Sequence, residues 1–131
     1  MKKKSRPISV EAPKGEPTVI KVGYRDIKID WVAPDFKTDE LTDCYGQYKS
    51  REGLIQIQHN LCGQEKSNTM LHEILHACCY GAGLNQADMP LKDEDKEEIV
   101  INQLSNYLMG VFRDNPWFLD YIKKNMNENN K

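Results

Sequence analysis

The sequence predicts an α+β fold: a small antiparallel β-sheet packed on a helix that carries H-E-x-x-H and on a second, ligand-bearing helix, with a short C-terminal helix. Three observations carry that expectation. Apolar and polar residues alternate with period two over two stretches between Thr18 and Gln58. A run without Pro or Gly follows from Ser67 to Tyr80 and holds the motif. A stripe at helical spacing then passes through Val100, Ile101, Leu104, Leu108, Val111 and Phe112. A chain of 131 residues forms one domain with a real but modest core.

Residues 1–17 are expected to be a flexible basic arm. They carry Lys2, Lys3, Lys4, Arg6 and Lys14 with Pro7, Pro13 and Pro17, and past Met1 only Ile8 and Val10 are sizeable apolar side chains. Such an arm has little to bury and is expected to be dispensable for folding. The single folded domain is expected over 18–124. Ile20 and Val22, then Ile27, Ile29 and Trp31, alternate with polar residues as half-buried strands do, with Gly23 as a bend between them. Thr38 to Asp43 is a short helical turn or a loop. Tyr45–Tyr48 pairs with Leu54–Gln58 across a polar turn as a hairpin.

The motif helix is capped at its start by Ser67 or Asn68 and stopped by Gly81 and Gly83. The second helix starts near Asp93, whose acidic neighbours Glu94 and Asp95 suit the positive end of the helix dipole. It stops near Asp114–Asn115, and Pro116 opens the third helix in its first turn. Residues 125–131 are a polar, frayed tail.

His72-Glu73-Ile74-Leu75-His76 carries the chemistry. Residues four apart on a helix sit one turn apart on the same face, so His72 and His76 can offer two imidazoles to one metal ion. Glu73 is offset by one position and borders that ion as a general base. This is the arrangement of a zinc hydrolase. The bland alternative is a His pair on a solvated face. Against it, the motif takes two of only three histidines in the chain and lies within an apolar run, where unpaired polar groups are costly.

A catalytic zinc ordinarily has three protein ligands and one open position. Position 82 is Ala, where a metzincin needs its third His, so that class is excluded. With Leu104 and Leu108 taken as the inward centre of the second helix, Glu97 points into the core and is the expected third ligand. Glu98 is the alternative, and His59, the remaining histidine, stands behind both. Cys44, Cys62, Cys78 and Cys79 form no C-x-x-C pair and are expected to be free thiols; Cys78 and Cys79 are small apolar fillers rather than ligands.

A net charge of −2 and the lack of a basic stripe argue against a nucleic-acid partner. No apolar run approaches the ~20 residues of a membrane span, and Lys2–Lys4 are followed by no apolar segment of a secretory signal. A cytoplasmic location is expected.

An H-E-x-x-H helix followed by a Glu on the next helix resembles the layout of the gluzincins, and the gap from His76 to Glu97 is similar to that of thermolysin-type enzymes. The chain more closely resembles the small zincins, or minigluzincins, related to SprT-like and ImmA/IrrE-type proteins, in particular phage-encoded members. Ile55-Gln56-Ile57, Thr69-Met70-Leu71-His72, Leu104-Ser105-Asn106-Tyr107-Leu108 and Arg113-Asp114-Asn115-Pro116 carry the likeness, which covers roughly residues 44 to 120. Tyr107 stands where a small residue is expected. The resemblance implies a zinc metallopeptidase acting on a protein or peptide substrate, which the strand Leu54–Gln58 would align by edge pairing. The rival expectation is a non-catalytic, zinc-stabilised binding or regulatory module, which would have no use for Glu73.

Overall fold

A computed structural model describes residues 8–34 and 45–128. The expected turn at Thr38–Asp43, Cys44 and the lysines of the arm's first residues lie outside the described residues. Four strands, β1 (Val19–Val22), β2 (Arg25–Val32), β3 (Gly46–Lys49) and β4 (Leu54–Gln58), precede three helices, α1 (Gly63–Gly81), α2 (Glu94–Asp114) and α3 (Trp117–Met126). The α+β class stands, with the short C-terminal helix in place.

The sheet is mixed, with order β1-β2-β4-β3. Each hairpin is antiparallel: Val22 faces Arg25 across Gly23-Tyr24, and Lys49 faces Leu54. The hairpins are joined by a parallel β2–β4 pair in which Ile29 faces Ile55 and Trp31 faces Ile57. This corrects the expectation of an all-antiparallel sheet. The chain between β2 and β4 includes β3 and is long enough for the crossover that parallel neighbours need. β4 is therefore an interior strand with both edges used, and it cannot align a substrate by edge pairing. β3 is the edge strand on that side.

The period-two alternation places its apolar set on one face. Ile27, Ile29, Trp31, Ile55 and Ile57 are all nearly inaccessible and form the core with Leu61 and Ala77; Met70 and Ile74 of α1 pack against them. The opposite face is polar, and Gln47 donates to Gln56, which donates to Asp30. α1 lies close on the apolar face. A Cβ built on Gly46 would come within 2.9 Å of the Thr69 methyl carbon and 2.8 Å of the Gln56 carbonyl, so glycine there sets the spacing between helix and sheet. α1 begins at Gly63, about a turn earlier than Ser67; it ends as expected, with Gly83 left-handed at φ +74°. The Asp93 carboxylate caps α2 by accepting from Asp95 N at 2.8 Å. α3 reaches Met126, past the expected start of the tail, with Asn125 donating to the Tyr121 carbonyl.

The arm is the second correction. Its described part, 8–17, is tied to the sheet. Val10 N donates to the Trp31 carbonyl and Ala33 N to the Ile8 carbonyl, both at 2.8 Å, which extends the β1 edge along the end of β2. Between Val10 and Thr18 the chain loops out, and the Trp31 indole donates to the Pro17 carbonyl at 2.9 Å. Val10 and Ala12 pack against the core, and Glu16 pairs with Lys66 of α1. The sequence hides this because the contacts are made by main-chain groups, two apolar side chains and two scattered polar ones, Ser9 to Asp30 and Glu16 to Lys66. Deleting residues 2–15 is expected to lower unfolding free energy by about 2 kcal/mol, mainly from lost apolar burial. Urea denaturation checks it; an unchanged midpoint would mean the segment is only an arm.

Candidate metal centre

α1 and α2 make the site between them. On α1, Ala77 and Glu73 turn inward, which leaves His72 and His76 on the flank facing α2. α2 packs on α1 through Ile101 and Ser105, its two buried residues. Glu97 is four residues before Ile101 and Glu98 is three before it, so the two carboxylates straddle the buried line of the helix and both reach the histidines.

His72 Nε2 lies 2.8 Å from Glu98 Oε1, and His76 Nε2 lies 3.0 Å from Glu98 Oε2. The two Nε2 atoms are 3.2 Å apart. These donors form a group able to hold a metal ion, all within 4.8 Å of one another. On the other side of the His76 ring, Nδ1 lies 2.6 Å from Glu97 Oε2. Asn85, from the loop after α1, donates to Glu97 Oε1 at 3.3 Å.

The structure thus reverses the order expected for the two glutamates. Glu98 faces the imidazole pair, and Glu97 stands behind His76. Leu104, inward on the sequence pattern, is 49% exposed, and the buried line runs through Ile101 and Ser105. His59 is exposed at the end of β4 and does not line the site. Cys78 is exposed. Cys79 is buried, and burial together with the nearby Glu97 charge pushes its thiol up to about 11, so it stays protonated and acts as filler. No spacing rule marks Asn85, which reaches Glu97 only because the loop folds back.

Proton accounting gives the cluster its meaning. A carboxylate only accepts, so His76 donates its Nδ1 proton to Glu97. His76 Nε2 then faces a Glu98 oxygen on the opposite side of the ring. Burial, aided by His76, holds the His72 imidazole below its ordinary pKa against the pull of Glu98. Two imidazole nitrogens and a carboxylate oxygen therefore converge, a set of atoms that one cation can engage together. The sizes agree: tetrahedral ligands at ~2.0 Å stand about 3.3 Å apart, close to the separations present.

Glu73 is 5% exposed beside this group. Burial, with the Glu98 charge adding, pushes its carboxyl up to about 8. A cation at the neighbouring donors would oppose both effects. The site opens into a cleft of about 1000 Å³ walled by Gln47 and Tyr48 of β3 on one side and Asn85 and Asn102 on the other. The Tyr48 hydroxyl is buried, and burial raises its pKa against the pull of Arg25, so it is a neutral phenol.

Comparison with protein-family models, curated proteins and solved structures finds no match. Among the described residues no helix is long and apolar enough to cross a membrane.

Proposed function

We propose that the chain is a zinc-dependent peptidase of minigluzincin type, with His72, His76 and Glu98 holding Zn²⁺ and Glu73 as general base. The observation that carries this reading is the convergence of two imidazole Nε2 atoms and a carboxylate beside the buried Glu73. A His₂Glu donor set is that of catalytic rather than closed structural zinc sites, and it leaves a position for water. When bound, zinc supplies Lewis acidity, acidifying a water and polarising a carbonyl.

The residues of the chain do the rest. Glu97 fixes the tautomer of His76 and the direction of its ring, as outer carboxylates do for metal-bound histidines. Asn85 holds Glu97. Glu73 accepts the proton of the attacking water and can return it to the leaving amine. β3, at the sheet edge beside the cleft, is the strand along which an extended peptide would lie, with the main-chain groups of Tyr48 turned outward by the alternation of the ladder.

The two glutamates separate by mutation. Glu97→Gln is expected to weaken zinc binding by roughly 10–100-fold, through looser orientation of His76. Glu98→Gln is expected to weaken it more, because a ligand is lost. Competition with a chromophoric chelator measures both. Equal and negligible effects would put the third ligand elsewhere. The reading as a whole is tested by elemental analysis of the purified protein and by digesting a peptide library. No zinc uptake when the metal is offered would overturn it.

A further inference from the structure

α2 carries a second apolar stripe that the described residues cover only at Val111. Val100, Leu104, Tyr107 and Val111 follow one another at spacings of four, three and four, the repeat of helix-to-helix seams. Val100 is 43%, Leu104 49% and Tyr107 81% exposed. Among the described elements α2 packs substantially on α1 alone, through the different line of Ile101 and Ser105. None of the stripe residues lines the metal cleft, which Asn102 borders; Tyr107 and Val111 line, with Asn106, a separate hollow beside Tyr45 and Thr69.

The stripe is self-complementary when reversed. Set antiparallel about a twofold axis near residues 105 and 106, Val100 meets the second copy's Val111 and Leu104 meets its Tyr107. In such a pair the same flank of each helix meets. Lys96 and Asp114 lie on one flank, about five turns apart, at equivalent levels to within one residue. Lys96 of each copy therefore faces Asp114 of the other. The positive N-terminal end of each α2 also lies beside the negative C-terminal end of its neighbour. α3 follows directly and exposes Trp117, Tyr121 and Met126, which adds apolar surface toward the about 800 Å² per partner of a standard interface.

We propose that the protein forms a homodimer through antiparallel packing of α2 on α2, with Val100, Leu104, Tyr107 and Val111 as the seam and two Lys96–Asp114 pairs at its ends. The arrangement leaves both metal clefts open and is independent of what the cleft does. It also accounts for Tyr107, a large side chain that is 81% exposed among the described residues.

Sedimentation and light scattering over a concentration series of the full chain test the proposal. The wild type is expected to be a dimer at micromolar concentration. Leu104→Glu places two unpaired carboxylates in the seam and is expected to raise the dissociation constant at least 100-fold, with helix content and melting temperature of the monomer preserved. Lys96→Asp is expected to weaken the dimer about tenfold, and Lys96→Asp combined with Asp114→Lys to restore it. The charge exchange does not depend on the fate of Leu104→Glu and reports the antiparallel register itself. A monomeric wild type, a dimer indifferent to Leu104→Glu, or a double exchange that fails to restore association would each overturn the proposal.

Discussion

His76→Ala is expected to abolish tight zinc binding. His76 is the centre of the cluster: its Nε2 lies 3.2 Å from His72 and 3.0 Å from Glu98, and its Nδ1 holds Glu97 at 2.6 Å. Truncation removes a ligand and also frees the carboxylate behind it, which is only 12% exposed and would lose its hydrogen-bond partner. His72→Ala removes a ligand alone and is expected to reduce binding severely. Zinc content after dialysis and the melting temperature with and without added metal check both. Wild type should be stabilised by zinc, because a ligand that binds only the folded state raises its stability; His76→Ala should show no such shift. A wild type that gains nothing from zinc would remove the basis for the metal centre.

Glu73→Gln is expected to leave zinc bound and to lower hydrolysis by roughly 10²-fold or more, the scale of general-base catalysis. The substitution keeps the size of a side chain that is 5% exposed, so packing against α2 should survive. Glu73 is not among the three converging donors, which is why metal content should hold. Rate on a substrate drawn from a peptide library or a proteome digest, read by mass spectrometry, supplies the measurement. Equal rates for wild type and Glu73→Gln would show that Glu73 is not the base. A wild type that cuts nothing, with Glu73→Gln keeping full biological activity, would favour the metal-stabilised binding module.

The elements of the fold that rest on neighbours in sequence were legible. Alternation put Ile27, Ile29, Trp31, Ile55 and Ile57 on one face, and Asp93 and Gly83 marked helix ends through the hydrogen bonds and dihedral angles those residue types favour. The two histidines could be paired without a structure, because four residues on a helix always bring side chains to one face.

Only the tertiary structure decided the rest, and in each case the deciding quantity was non-local. Glu97 and Glu98 differ by about 100° around one helix, and which of them faces the imidazoles depends on how α2 lies against α1. The sequence placed the buried line on Leu104 and Leu108 because apolar residues occupy two stripes of α2; the packing uses Ile101 and Ser105 and leaves Val100 and Leu104 exposed. The parallel pairing of β2 with β4 depends on a crossover that alternation cannot encode, since a strand shows the same pattern in either direction. The docking of residues 8–17 rests on main-chain hydrogen bonds, which every residue but proline can donate and which therefore leave almost no trace in composition. The sequence by itself determined the pairing of His72 with His76 and the α+β class; the crossing of two helices determined which carboxylate faces that pair.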